Sequence, residues 1–248
     1  MTEQDYIIET FSEMATRYEE LMNSELSRFW GIDYYSFIQE VLGKIQIDGS
    51  QRILDIATGT AFIPRNFIKD GTKFSGIIGL DITLEMLKNA KRLIGNNPRA
   101  ENVDFVCASA HAMPFNTACF DIAICCLATH HMSVDRLLSE IYFSLKPGGR
   151  LHIGDVGGSA KWKIRAIRTI IKIFAFIYFL FTENFSRARA ESEAVANVMT
   201  SNEWHERIRE NGFEHISIRE VPSSKFWTPN PIIIEATKNG GVANDIHI

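Results

Sequence analysis

The spacing of apolar and polar positions divides the chain into short runs. Residues 6–21 and 29–45 repeat apolar side chains at helical intervals, and Asp48-Gly49 marks a turn after them. Short apolar runs then alternate with amphipathic ones. Strands are predicted over 52–57, 77–81, 103–107, 121–126 and 150–156. Helices are predicted over 61–69, 84–94 and 134–145, and Lys146-Pro-Gly-Gly149 reads as a turn. The run 121–126 is continuously apolar, as suits a central parallel strand covered on both faces. Alternation of this kind predicts an α/β fold, a parallel sheet with helices on both faces and right-handed crossovers. Residues 159–200 interrupt the rhythm. A helix over 203–211, closed by Gly212, and strands over 213–221 and 232–237 follow. The chain is thus expected to comprise an N-terminal helical cap (1–47), an α/β core (48–158), a helical cap insertion (159–200), the end of the core (201–239) and a frayed tail (240–248).

The insertion carries its own pattern. Residues 170–181 are apolar except for Lys172. Lys161, Arg165, Arg168 and Lys172 recur on one side, and Ile164, Ile167, Ile171, Phe174 and Tyr178 on another. This is a basic amphipathic helix whose apolar run falls short of the ~20 residues of a bilayer span. The first expectation is packing on the domain. A lid over an apolar pocket, or a peripheral membrane contact through 161–181, is the alternative use.

Composition adds exclusions. The chain has 248 residues, 46% hydrophobic and 23% charged, a balance that fits a folded globular chain. A formal net charge of −4 argues against nucleic-acid binding. The start, Met1 to Glu9, is acidic and lacks the apolar core of a secretory signal. Cys107, Cys119, Cys125 and Cys126 form no CxxC pair and read as reduced thiols of a cytoplasmic protein.

Candidate chemistry gathers where strands end, because ligands of open α/β sheets bind beyond the carboxyl ends. The first strand runs into Ala57-Thr-Gly-Thr-Ala61, a small-residue loop that lets backbone amides approach a ligand ahead of a helix. The second ends in Asp81, placed to accept ribose hydroxyls. The loop has only Gly59 as glycine and lacks the G-x-G-x-x-G of dinucleotide folds, which favours a nucleoside without a pyrophosphate.

Five segments in order strengthen this reading: Leu54-Asp-Ile-Ala-Thr-Gly-Thr60, Gly79-Leu-Asp-Ile-Thr-Leu-Glu-Met-Leu87, Ala108-Ser-Ala-His-Ala-Met-Pro-Phe115, the run from Phe120 through Cys126 to His130-His131, and Leu145-Lys-Pro-Gly-Gly-Arg150. The series resembles the class I S-adenosylmethionine (SAM) methyltransferases, in particular the ubiquinone/menaquinone biosynthesis branch and its small-molecule relatives. The resemblance implies a Rossmann-like, mainly parallel seven-stranded sheet, SAM as cofactor and S-adenosylhomocysteine as product. It also implies roles. Asp55 would orient the loop and the methionyl ammonium, and Ala57, Thr58, Gly59 and Thr60 would present backbone to the amino-acid part. Asp81 would hold the ribose, with Ile82 and Met86 beside the adenine. Ser109 and Ala110 would stand at the adenine edge, Cys126 and Leu127 near the methionine moiety, and Tyr18 would close over the cofactor. Family loops often carry glycine where Ala57 and Ala61 stand, and a methyl there is tolerable if φ stays negative. Ser109 replaces the usual adenine-binding acid.

Methyl transfer needs alignment, water exclusion and, for a carbon or phenol acceptor, a base. His130 and His131, just after the fourth strand, are the catalytic candidates; Tyr178 and His152 are less specific ones. Adjacent histidines without a Cys/His partner cluster do not read as a metal site. The acceptor pocket is expected between the cap helix and the first helix, walled by Phe174, Phe176, Tyr178, Phe179 and Phe181, with Phe226 and Trp227 as further candidates. The predicted function is methyl transfer to a small, largely apolar acceptor. A SAM-binding protein without transferase activity is the alternative, and oligomeric state is left open.

Overall fold

The computed structural model describes residues 2–225 and 228–240. Strands β1 (Arg52–Ile56), β2 (Gly76–Asp81), β3 (Val103–Cys107), β4 (Phe120–Cys126) and β5 (Leu145–Asp155) run parallel. Strand β7 (Ile232–Lys238) lies antiparallel between β5 and β6 (Phe213–Glu220). The order is β3-β2-β1-β4-β5-β7-β6. The chain moves outward from β1 to β3, then returns to pair β4 on the other side of β1. That reversal opens a crevice beyond the carboxyl ends of β1 and β4, where an open α/β sheet takes its ligands.

Helices α4 (Phe62–Asp70), α5 (Leu84–Ile94), α6 (Val134–Ser144) and α9 (Ser201–Glu210) accompany the sheet. Their apolar stripes meet it from both faces. Leu137, Leu138, Ile141, Trp204 and Ile208 pack with Leu54, Ala123 and Leu151 on one side. Phe67 and Met86 pack with Ile53, Ile77 and Ile122 on the other. A Cβ on Gly154 would come within 2.5 Å of Val41 Cγ2, so this glycine in β5 lets the N-terminal helices press onto the sheet.

The N-terminal region holds three helices rather than the two its periodicity predicts: α1 (Glu3–Met14), α2 (Tyr18–Phe29) and α3 (Tyr34–Leu42). Helix α1 starts early because Thr2 and Asp5 form a capping box, which satisfies two orphan amides. The run from α1 to α2 breaks at 15–17, where Arg17 leaves helical geometry (φ −120°). Helix α3 begins only after Gly31, held at φ +65°, and an Asp33 cap that accepts from the Ser36 amide at 2.8 Å. The turn at 146–149 exists, with Gly148 at φ +75°, but it is an irregularity inside β5 between the Phe120–Leu145 and Ile122–Arg150 pairs.

The insertion forms α7 (Arg165–Thr182) and α8 (Phe185–Ala194), packed on each other. Helix α8 also packs on α1 and buries Arg187, Ala188 and Ala190. Helix α7 does not divide into one basic and one apolar side. Ile171, Ala175, Tyr178 and Phe179 turn inward, while Ile170, Ile173, Ile177 and Phe181 face solvent. No helix among the described residues is long and apolar enough to cross a membrane.

Two adjoining cavities as a candidate active site

The crevice contains a cleft of about 510 Å³. Its wall takes in Tyr18, Ala57, Gly59, Asp81, Ile82, Met86, Ser109, Ala110, Leu127 and His131 from the predicted set, together with Thr2, which caps α1, and Gln4, Ile7 and Phe11 within it. Asp55, Thr58, Thr60, Cys126 and His130 are not on that wall.

The loop after β1 explains the split. Ala57, Gly59 and Ala61 all take left-handed φ, at 54°, 54° and 58°. The condition under which a methyl is tolerated there, a negative φ, is therefore not met at either alanine. The chain must coil back at alternate residues to present its amides, and each alanine there carries a cost of roughly 1–2 kcal/mol that glycine would avoid. Coiling turns the even positions inward. The Thr58 hydroxyl donates to Asp55 and the Thr58 amide to the Leu80 carbonyl at 3.0 Å. The Thr60 hydroxyl donates to Glu19 of α2 at 2.6 Å, and Glu19 also pairs with Arg65. Asp55 is 1% exposed; burial and nearby Asp81 push its carboxyl up to about 7, with Thr58 opposing. It braces the loop from within. Cys126 lies half-buried beside Asp55, and desolvation of its thiol together with that carboxylate raises its pKa.

Asp81 links loop to cleft. Its Oδ2 accepts from the Gly59 amide at 2.9 Å and its Oδ1 from the Thr83 amide at 2.8 Å. Burial raises its pKa and these amides oppose the rise. An ionised carboxylate has about four acceptor positions, so capacity remains toward the cleft. Ser109 Oγ accepts from the His111 amide at 3.2 Å, and the His111 Nε2 accepts from the Ser133 amide at 3.0 Å.

A second cavity of about 540 Å³ adjoins the first. Both are lined by Phe11, Tyr18, Leu127 and His131. Leu127 holds φ 53°, an unusual conformation for a bulky residue, tied by its amide to the Gly154 carbonyl at 2.7 Å. The cap supplies Phe174, Tyr178 and Phe179 as predicted, together with Ile171 and Ala175. Phe176 instead meets the Phe185 ring at 5.9 Å, and Phe181 is 83% exposed, so neither is a wall. Phe226 and Trp227 lie outside the described residues, as do 241–248 of the predicted tail. His152 is buried in β5, away from both cavities, and burial pushes it down to about 4.

The floor of the second cavity is charged. His130 Nδ1 lies 2.7 Å from Asp155 Oδ1. A carboxylate only accepts, so Nδ1 carries the proton and Nε2 is left as the basic atom. Burial disfavours the charged imidazolium, but Asp155 outweighs it and raises the His130 pKa. Asp155 itself is fixed by the Thr129 amide at 2.8 Å and the Val156 amide at 2.7 Å; burial opposes ionisation, yet His130 and Thr129 hold its carboxyl below the usual range. His131 behaves oppositely. Burial and neighbouring His130 push it down to about 3. Arg187, 3% exposed, pairs with Glu25 at 2.7 Å and Glu191 at 3.2 Å, and Glu191 lies 3.6 Å from His131. Burial pushes Glu25 up to about 7 against the pull of Arg187. His130, His131 and Glu191 could geometrically hold a cation, but the Arg187 guanidinium already occupies Glu191.

Sequence reasoning missed Asp155, Arg187, Glu191 and Glu25. Asp155 had a usable signal, because it closes β5 as Asp81 closes β2. The other three had none, since only tertiary packing brings α2 and α8 to the cavity.

Comparison with known proteins agrees with this geometry. Residues 54–153 match the family model described as a methyltransferase domain. Beyond it, the chain is similar to a ubiquinone/menaquinone biosynthesis C-methyltransferase, UbiE, of Pectobacterium atrosepticum, 28% identical over 174 residues. That match covers 68% of this chain and 65% of the relative. Among solved structures, phosphoethanolamine N-methyltransferase 2 of Haemonchus contortus superposes with a TM-score of 0.68 at 16% identity, covering 96% of this chain and 61% of that one. The [4+2]-cyclase SpnF superposes at 0.69 with 18% identity, covering 95% and 96%. Both likenesses concern the fold.

The cleft has features that would suit the nucleoside of SAM. A Cβ on Gly59 would sit 3.7 Å from Tyr18 Cε1, narrowing the gap where the loop faces the phenol. Asp81 keeps acceptor capacity for hydroxyls, and Leu80, Ile82 and Met86 offer an apolar wall.

Proposed function

We propose that the protein transfers a methyl group from SAM to a small, largely apolar acceptor of quinone-like or specialised-metabolite type, held in the cavity beneath α7. The observation that carries this is the adjoining pair of cavities, with His130–Asp155 opening on the acceptor side. When bound, SAM supplies an electrophilic methyl group on a sulfonium. Asp81 would hold the ribose, and Ala57 and Gly59 the amino-acid part, with Asp55, Thr58 and Thr60 acting through the loop. Ile82, Met86, Ser109 and Ala110 would surround the base. Cys126 would brace the chain beneath Leu127 and the loop rather than touch the cofactor.

The acceptor's nucleophilic atom would attack the methyl carbon as the carbon–sulfur bond breaks, its electron pair remaining on sulfur. The acceptor proton would pass to His130 Nε2, and Asp155 would stabilise the resulting imidazolium. His131 stays neutral, so with Tyr18, Phe11 and Leu127 it aligns the two ligands and excludes water, effects worth ~7–11 kcal/mol when geometry is right. The UbiE likeness supports a quinone-like ring, and the mostly apolar walls fit its tail. A SAM-binding chain without transferase activity would suit a blocked cap; here the space beneath α7 is open.

Titration calorimetry with SAM tests the first half. Asp81→Ala is expected to weaken binding about tenfold or more, ~1.4 kcal/mol, and unchanged affinity would remove Asp81 from the ribose site. Transfer of labelled methyl to hydroquinones, phenols and amines bearing apolar tails tests the second. Tight SAM binding with no transfer to any of these would reject the acceptor class.

A further inference from the structure

We propose that the outward face of α7 docks the protein on an anionic lipid bilayer. Helix α7 is apolar on two opposite sides. One side roofs the acceptor cavity with Ile171, Ala175 and Tyr178. The other presents Ile170, Ile173, Ile177, Leu180 and Phe181 to solvent, with Ile170 66% and Phe181 83% exposed. Of the twelve large exposed hydrophobic residues among the described residues, eight lie between 164 and 185. A helix apolar all round is ordinarily enclosed, and a patch this concentrated marks an interaction surface.

Charge selects the occupant. Residues 160–182 carry five cations, Lys161, Lys163, Arg165, Arg168 and Lys172, and no carboxylate, in a chain whose net charge is −4. Lys163 and Lys172 are tied to Glu203 and Glu193 at 3.0 and 2.6 Å, while Lys161 and Arg165 are exposed where the apolar face begins. Long cationic side chains beside an inserted apolar face reach lipid headgroups, and anionic lipid attracts them. A second copy of this face is the poorer occupant, because residues 160–182 carry no carboxylate to meet the cations. The arrangement places a bilayer on one side of α7 and the apolar cavity on the other. Docking stands on the exposed face itself; only its use, delivery of a lipid-dissolved acceptor, rests on the proposed function.

Co-sedimentation of the full chain with vesicles tests it. Binding is expected to be stronger to phosphatidylcholine vesicles containing phosphatidylglycerol than to pure phosphatidylcholine, and to weaken with added salt. Ile173→Asp combined with Phe181→Asp is expected to reduce it by about tenfold or more, since two large apolar side chains no longer enter lipid. Lys161→Glu with Arg165→Glu is expected to abolish the preference for anionic vesicles. None of these residues lines either cavity, so SAM titration should be unaltered and serves as the folding control. Equal binding by the wild type and the aspartate variant, or binding to neither vesicle, would overturn the proposal. So would a wild-type dimer that Phe181→Asp dissociates, which would make a second copy the occupant. Loss of SAM binding with vesicle binding intact would count against the proposed function alone.

Discussion

At the residue scale, the proposed mechanism makes the His130–Asp155 contact set the pH dependence. As the proposed base, His130 must be neutral to take a proton, and Asp155 raises its pKa above the ordinary 6.5. Turnover is therefore expected to rise with pH through a midpoint above that value. Asp155→Asn removes the charge that favours the imidazolium, so the midpoint should move to lower pH while turnover falls. His130→Gln should lose this limb and most of the activity with SAM affinity nearly intact. A kcat/KM profile from pH 5 to 9 checks all three, and a normal profile in His130→Gln would exclude His130 as the base. The histidine pair was legible because it follows a strand that ends at the crevice. The difference between its members was not, because it depends on a carboxylate 25 positions away in the chain.

At the element scale, the loop after β1 is where sequence and structure disagree most instructively. Its small residues announced a close approach to a ligand, and the bounds of α5 and β3 followed from apolar spacing alone. The left-handed turns at Ala57 and Ala61 were not visible, because alanine ordinarily signals helix. Ala61→Gly is expected to leave stability unchanged or raise it by up to about 1 kcal/mol, as relief of strain offsets the added freedom of the unfolded chain. Ala90→Gly, inside α5 and fully buried, should destabilise by about 1 kcal/mol or more. Urea midpoints of the two variants provide the comparison. Helix α7 shows the converse limit. Its existence and the stripe through Ile171 and Tyr178 that meets the cavity were plain from the apolar run, but that the opposite side would be left exposed was not, since nearly every turn offers a greasy side chain in both directions. Helices α1 and α2 were misjoined for a related reason: a break at 15–17 needs no glycine or proline to produce it.

For the whole molecule, burial of ionisable groups between the cap and the core ties stability to acidity. The folded state keeps His131 neutral down to about pH 3, whereas the unfolded chain protonates it near 6.5. Its contribution is therefore complete above 6.5 and is lost as the pH falls toward 3. His131→Phe retains a ring that can meet Phe11, which His131 contacts edge-on at 5.4 Å. The difference in melting temperature between pH 7.5 and 4.5 should be smaller in that variant than in the wild type, and an equal difference would show that other groups set the acid limb. The antiparallel pairing of β7 has a practical side. Thr237 is opposite Arg150, whereas Ile232 is opposite Asp155, so β7 runs out at the amino end of the parallel strands. Thr2, by contrast, is part of the wall of the first cleft. A purification handle fused behind β7 would trail from the far rim of the sheet, but one fused ahead of Thr2 would sprout at the doorway of the cleft and compete with what enters.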